Sequence, residues 1–348
     1  MQNEMTHADF VTLYNSHGLI ARFSSYGARW ISMTVPDRTG DFDDVLLGFN
    51  NLEDYQSATE HYYGAIVGRV CGRIGNATFS LNGHSYDLTK NENGLNHLHG
   101  GLHAFHNVFW ESFCGLDLNG EQYVSFTHKF HEGEEGYPGN LSVEIRYALT
   151  ETDTLRMVCK AISDQDTIIN LTNHAFFNLC GSRVSHDIMG HKLFLKSSEL
   201  IECDENLIPT GNLLPVENTL LDFRKAKPIG DALEADLFHI KENNGFSLAY
   251  SIDGFDGNLQ LAAALSEENT GRRLEIYTNQ PSMQVYTGYC FDGLDIGKGG
   301  FSYQAGAGVA LETQGFPDAV NHPNFPTIVL RKDEVYLQVT EFRWSVSK

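Results

Sequence analysis

The amino-acid sequence predicts an all-β protein, a single large antiparallel β-sandwich with a few short helices, running as one domain over residues 1–348. Three observations carry that expectation. Apolar residues recur with a period of two in the longer segments, pairs such as Asn-Gly and Asp-Gly punctuate those segments, and helical periodicity is confined to two short pieces. With 41% hydrophobic residues, 22 Phe, 15 Tyr and 3 Trp, the chain has the material to fill the space between two sheets and is not intrinsically disordered. Length alone suggests two domains, but all-β chains often exceed that prior as single units. No Pro/Ser-rich linker, charge block or internal repeat marks a boundary.

In chain order, the first helical stretch is expected near Leu52 to His61. Asn82-Gly83 and Asn119-Gly120 then read as hairpin turns, as does Pro138-Gly139-Asn140. Directly after it, Leu141, Val143, Ile145, Tyr147 and Leu149 alternate with Ser142, Glu144, Arg146 and Ala148, the pattern of a half-buried strand. The second helical stretch is expected near Ile229 to Leu237, and further turns at Asp253-Gly254 and Asp292-Gly293. In the closing strand Tyr336, Gln338, Thr340, Phe342 and Trp344 share one face and Val335, Leu337, Val339 and Glu341 the other. Both faces are expected to be partly covered, so that sheet packs on sheet. Periodicity leaves the strand order open.

Charge narrows the partners. The 24 Lys+Arg against 45 Asp+Glu give a formal net charge of −21, a field that repels nucleic acid and anionic membrane surfaces, and no Lys/Arg run offsets it. No stretch approaches the roughly 18 apolar residues that span a bilayer, and Met1-Gln2-Asn3-Glu4 has neither the basic nor the apolar part of a leader. The six cysteines (Cys71, Cys114, Cys159, Cys180, Cys203 and Cys290) are widely spaced with no Cys-x-x-Cys, which argues against a disulfide framework, a zinc knuckle or a redox pair. A cytoplasmic protein with reduced thiols and a small-molecule ligand is expected.

Several residues are candidates for chemistry. In His97-x-His99-x3-His103, two histidines two apart on a strand would share a face, as cupin-like metal sites begin. No second half-site follows, however, and the stretch Gly94 to Gly101 is glycine-rich for a strand, so no metal is assigned. His174, flanked by amides in Leu171-Thr172-Asn173-His174-Ala175-Phe176-Phe177-Asn178-Leu179, is either a hydrogen-bonded core histidine or a functional group. Glu312 interrupts the apolar run Gly308-Val309-Ala310-Leu311-Glu312-Thr313-Gln314, and is either a surface residue at a strand end or a functional acid. Arg73, Gln280 and Gln284 are polar residues inside or beside strand-like segments. There is no Gly-x-Ser-x-Gly, no Cys beside a His and no phosphate-cradling loop, which sets covalent and nucleotide-dependent chemistry aside. His, Glu, Arg, amides and aromatics on a β-sandwich suit proton transfer on a neutral polyhydroxy ligand, and a sugar fits.

An ordered set of motifs then resembles one family. Gly68-Arg69-Val70 with Gly72-Arg73-Ile74, Leu98-His99-Gly100-Gly101, Glu135-Gly136-Tyr137-Pro138-Gly139, Leu171-Thr172-Asn173-His174, Asp222-Phe223-Arg224-Lys225, Gln284-x-Tyr286-Thr287-Gly288 and Leu311-Glu312-Thr313-Gln314 are similar to the aldose 1-epimerases, the galactose mutarotases. The similarity runs from Tyr26-Gly27-Ala28 through Phe316-Pro317-Asp318 and His322-Pro323 to Pro326. It implies the galactose mutarotase-like β-sandwich and a cofactor-free interconversion of α and β anomers of an aldose. It also implies His174 as general acid, Glu312 as general base, and Arg73, His99 and Gln284 as ligands of sugar hydroxyls. Ring opening takes a proton off the C1 hydroxyl and puts one on the ring oxygen, which a carboxylate and an imidazolium together supply.

Two departures stand out. Gly72 replaces an Asn that many members have before the arginine. Gly245-Phe246-Ser247-Leu248 stands where members have Gly-Tyr-Asp-His, so Ser247 occupies the position of a sugar-binding Asp unless a shifted loop brings Asp253 or Asp256 there. The lost carboxylate leaves the preferred aldose open, and raises the alternative of a non-catalytic carbohydrate-binding or sugar-sensing protein on the same fold. Retention of both His174 and Glu312 favours the enzyme.

Overall fold

In this computed structural model the described residues are 10–182 and 186–347. The larger of two main sheets has nine strands in the order Glu111–Leu116, Gln122–Phe130, Leu141–Leu149, Thr154–Ser163, Val335–Val346, Arg272–Thr278, Gln260–Ser266, Lys192–Leu195 and Lys227–Pro228, antiparallel throughout. The smaller has six, in the order Phe176–Phe177, Val309–Gln314, Ser282–Tyr286, Ser247–Ser251, Glu199–Cys203 and Pro209–Pro215, again antiparallel. A four-stranded sheet formed by Phe10–Tyr14, Ile20–Ser24, Arg29–Pro36 and Phe42–Asp44 contributes Phe23, Trp30 and Met33 to the same core.

The expected period of two explains how the main sheets meet. Val143, Ile145, Tyr147, Met157, Ile276 and Phe342 of the large sheet and Leu248, Tyr250, Met283, Val285, Val309 and Leu311 of the small one belong to one contiguous apolar core. Polar residues also lie in this interface. The Thr340 hydroxyl is 2.7 Å from that of Thr313 and 3.2 Å from that of Thr278, and the Gln338 amide donates to the Thr313 carbonyl at 2.9 Å. Each buried hydroxyl or amide thus has a partner, so the seam orients the sheets without the penalty of an unmet polar group.

Local expectations fare differently. Asn82 and Gly83 both take positive φ, 52° and 79°, as a two-residue hairpin requires between Thr78–Leu81 and His84–Asp87. The first helical stretch is the helix Leu52–Ser57, begun by Asn51, whose side chain accepts from the Asp54 N–H at 2.9 Å. The second is a 3₁₀ segment, Ile229–Glu234, and is followed by a helix that periodicity missed, Phe238–Asn243. Asp292-Gly293 is not a turn but the start of the strand Asp292–Ile296. The positive φ of Gly293 (81°) there serves a break in register with Ser302–Gln304. The closing strand is partly covered on both faces, as expected: on the face where Val335 and Leu337 are 61% and 49% exposed, Val339 is half-buried and Glu341 buried. Farther along, Glu341 is shielded by the guanidinium groups of Arg156 and Arg343. Among the described residues, no helix is long and apolar enough to cross a membrane.

The far face of the six-stranded sheet positions the site. Pairing aligns Ala249, Gln284 and Glu312 in one row, and Ser247, Tyr286 and Ala310 in the next row on the same face. Two smaller apolar clusters pack on this face, one around Ala249, Ile201 and Phe316, the other around Tyr286, Ala310 and Phe176. The polar row is left between them.

The turn at Gly64 ties this region to the rest of the chain. Its N–H donates to the His174 carbonyl at 2.9 Å, its φ is +65°, and an added Cβ would stand 2.0 Å from the Trp30 carbonyl oxygen. Gly64→Ala is therefore expected to destabilise the fold by about 2 kcal/mol or more, measured as a fall in thermal midpoint. A variant as stable as the parent would show that this turn is not the constraint described.

Candidate active site

A cavity of about 250 Å³ opens on the polar row of the six-stranded sheet. Its floor carries Glu312, in the middle of a strand, Val309–Gln314, buried at every position. This excludes the reading of Glu312 as a surface residue at a strand end. Across the cavity stands His174, directly after the strand Thr172–Asn173, which pairs with Ile66–Val67. The His174 backbone N–H donates to the Ala65 carbonyl at 2.8 Å. The neighbouring Asn173 amide donates to the Gly64 carbonyl (2.8 Å) and to the Tyr147 hydroxyl (3.1 Å), while its oxygen accepts from the Ala175 N–H (3.0 Å). Held this way, the His174 Nε2 lies 3.6 Å from the Glu312 Oε1, with both side chains only 3% exposed. His174 Nδ1 and Glu312 Oε2 have no hydrogen-bond partner among the described residues. Buried polar atoms rarely stay unmet, so this pair has bonding capacity left for a ligand.

Arg73, His99, Gln284 and Ser247 line the same cavity, whereas Gln280 does not: it lies in the connection between Arg272–Thr278 and Ser282–Tyr286, where its amide donates to the Asn279 side-chain oxygen at 3.3 Å. Arg73, in the two-residue strand Arg73–Ile74, pairs with His97–Leu98. Its guanidinium is clamped by Glu92, with Nε 3.0 Å from each carboxylate oxygen and Nη2 2.6 Å from Oε1. His99 accepts the Gly72 N–H on Nδ1 at 3.1 Å, which leaves Nε2 for the cavity. Gln284 donates to the Ser247 hydroxyl at 2.9 Å. Ser247 thus stands in the cavity wall, whereas the two alternatives lie elsewhere: Asp253 accepts from the Ser198 N–H and hydroxyl (2.9 and 2.7 Å), and Asp256 holds Asn258 in an exposed turn. Gly72 takes φ +70°, and a Cβ there would meet Pro317 at 3.3 Å.

The His97/His99/His103 run does not converge. The strand ends at Leu98, and His99, at φ +54°, turns away from the alternation that would have put it beside His97. His97 is spent on the Thr89 carbonyl and the Tyr137 hydroxyl, each at 2.7 Å. Among the described residues no group of three or more His, Cys, Asp or Glu side chains is arranged to hold a metal ion.

Sequence reasoning missed Glu60, Tyr62, Glu92, Tyr286 and Gln314, which also line the cavity. Two were within reach. Gln314 and Tyr286 lie two residues from Glu312 and Gln284, so the strand period alone places them on the same face. Glu60, Tyr62 and Glu92 come from loops with no period to read. The Tyr62 ring lies 4.6 Å from that of His99, 4.8 Å from His106 and 5.5 Å from His174, and so forms an aromatic wall.

Comparisons with known proteins match nearly the whole chain. The family model described as aldose 1-epimerase matches residues 9–343. A galactose mutarotase from Bos taurus is 40% identical over 323 residues, covering 93% of this chain and 90% of that protein. An aldose 1-epimerase from Escherichia coli is 32% identical over 336 residues, covering 96% and 94%. Among solved structures, an aldose epimerase homologue from C. elegans superposes with a TM-score of 0.87 at 27% identity, over 100% of each chain.

Burial sets the protonation of the central pair. Desolvation pushes the Glu312 carboxyl up to about 8, with the nearby Glu60 adding to the effect, and the His174 imidazole down to about 3. Both shifts favour uncharged forms. A carboxylic acid beside a neutral imidazole and a carboxylate beside an imidazolium hold the same single proton, so around neutrality the pair always offers one acid and one base.

The Glu312 shift has a cost in stability whose sign is fixed. Below the ordinary carboxyl value of 4.5 the acid is protonated in both folded and unfolded chains. As pH rises toward about 8, the unfolded chain releases the proton while the folded chain retains it, and stability falls. Glu312→Gln, which cannot ionise, is expected to gain thermal stability over the parent progressively from pH 4.5 to 8, by about 2 °C or more at the upper end. A difference that stays constant across that range would contradict the buried, raised carboxyl.

Proposed function

The chain belongs to the aldose 1-epimerase family and is an isomerase that interconverts α and β anomers of an aldose; within it, we propose that His174 and Glu312 are the acid and base of ring opening. The observation that carries this reading is the buried pair facing at 3.6 Å, with one unmet polar atom on each partner. A pyranose in the cavity brings its hydroxyls to this pair, and the new bonds favour the ionic tautomer of the pair. The Glu312 carboxylate then takes the proton of the C1 hydroxyl while the His174 imidazolium gives one to the ring oxygen. The bond from C1 to the ring oxygen breaks, and the open chain holds a C1 aldehyde. After rotation about the C1–C2 bond the ring closes on the other carbonyl face, with the two residues exchanging roles. Each assisted transfer is worth about 10²- to 10⁴-fold.

The other lining residues are assigned to binding. Arg73, His99 and Gln284 meet sugar hydroxyls, the Tyr62 ring covers a C–H face of the sugar, and Ser247 bears on which sugar is preferred. The ligand is a neutral aldose, and nucleic acid and membranes are not partners of so acidic a chain. The six cysteines, all free thiols, support a cytoplasmic location.

Polarimetry or exchange NMR on freshly dissolved α-anomers of glucose, galactose, xylose, arabinose and a reducing disaccharide tests the assignment. Glu312→Gln and His174→Asn are each expected to cut turnover by about 10²-fold or more with the fold intact, and Arg73→Ala and His99→Ala to raise KM. Near-normal turnover in Glu312→Gln would remove it from the role of base.

Ser247 generates a second expectation. A carboxylate accepting from a hydroxyl makes a bond about twice as strong as a neutral acceptor does. Ser247→Asp should therefore raise kcat/KM on galactose or glucose relative to the parent's best other sugar. An unchanged ranking of sugars, with galactose already preferred by the parent, would refute the role given to Ser247.

A further inference from the structure

We propose that Glu60 is a specificity-determining residue of this cavity, its carboxylate bonding a hydroxyl of the bound sugar other than the one at C1. The inference rests on reading the cavity as the sugar site. Three glutamates line it, and two are committed. Glu312 faces His174. Glu92 spends both carboxylate oxygens on the Arg73 guanidinium. At Ser247 the hydroxyl is neutral and already receives the Gln284 amide proton at 2.9 Å.

Glu60 differs from all of these. Its carboxylate takes one bond, from the Tyr62 N–H to Oε1 at 3.0 Å, and its other oxygen accepts none among the described residues. The backbone behind it is pinned from outside the cavity: Asp295 accepts from the Thr59 N–H (3.0 Å), the Glu60 N–H (3.2 Å) and the Tyr63 hydroxyl (3.1 Å). Residues 59–63 are thereby held so that Glu60 and Tyr62 both line the cavity, one with a carboxylate and the other with a ring. Burial, with Asp295 close by, also raises the Glu60 carboxyl to about 7. Near neutrality it thus accepts from a hydroxyl when ionised and donates to one when protonated.

A polar group built to bond a substrate hydroxyl discriminates against the analogue that lacks it, because the group is left unmet in the complex. The test uses the full chain, the best aldose found by polarimetry, and its monodeoxy analogues, each lacking one hydroxyl other than that at C1. The parent should lose at least about tenfold in kcat/KM on one analogue. In Glu60→Ala that selective loss should vanish while the ratios for the other analogues persist, and Glu60→Gln, with a neutral acceptor, should retain part of it. Ratios unchanged across the series, or all scaled by one factor, would overturn the proposal and leave Glu60 as a support of its own loop. Failure of the underlying reading looks different: a parent inactive on every aldose, or a fully active Glu312→Gln. If Glu60→Ala does not fold, Glu60→Gln alone decides, by whether the same analogue ratio moves toward unity.

Discussion

A carboxyl in the middle of a strand buried along its whole length loses its hydration and regains little of it from the protein. Glu312 is in that position, and much of the surrounding structure follows from it. The other face of its strand, with Val309 and Leu311, must fill the sandwich core, so the strand can neither slip nor twist to bring the carboxyl to solvent without exposing that core. The site is thus kept at the expense of stability, in a position where burial has already matched a carboxyl and an imidazole to share one proton.

The partner across the cavity is held by backbone rather than by side-chain charge. His174 is fixed through its own N–H and carbonyl to Ala65 and Gly64. The loops beyond are gathered by Arg29, which is 1% exposed and donates to the carbonyls of His61, Tyr63 and His106. One buried guanidinium therefore ties the segment bearing Tyr62 to the segment that follows His99. Carbonyls are good partners for it, since a carboxylate there would add another charge to a region already crowded with ionisable groups.

How far the site could be read from sequence depended on which element each residue occupies. Strand residues were legible. A polar residue that breaks an apolar alternation, as Glu312 does, either faces solvent or has work to do, and strand pairing places its row-mates Gln284 and Ala249 beside it. Loop residues were not legible, because Glu60 and Glu92 reach the cavity through turns that carry no period. The histidine run failed for a related reason: a single left-handed residue, His99, cancelled the alternation on which a shared face depended. Asp292-Gly293 shows the same ambiguity in another form, since a positive-φ glycine serves a register break as well as a turn. The order of strands in the sheets, set by packing between segments far apart in the chain, was not recorded in any local pattern.

The position of Val335–Val346 has a consequence for how the chain acquires this structure. This strand lies between Thr154–Ser163 and Arg272–Thr278 in the large sheet, so both of its neighbours are synthesised well before it. Until it inserts, each of them has a bare edge of unpaired N–H and C=O groups, open to pairing with another chain. The contacts that close the gap join residues separated by about half of the sequence on one side, which makes closure a late and slow event in folding. Because Thr340 and Gln338 of this strand bond to Thr313, next to Glu312, the site is buttressed only when that event is complete. A chain in which this strand has not yet inserted therefore presents two bare sheet edges and an unsupported site at the same time.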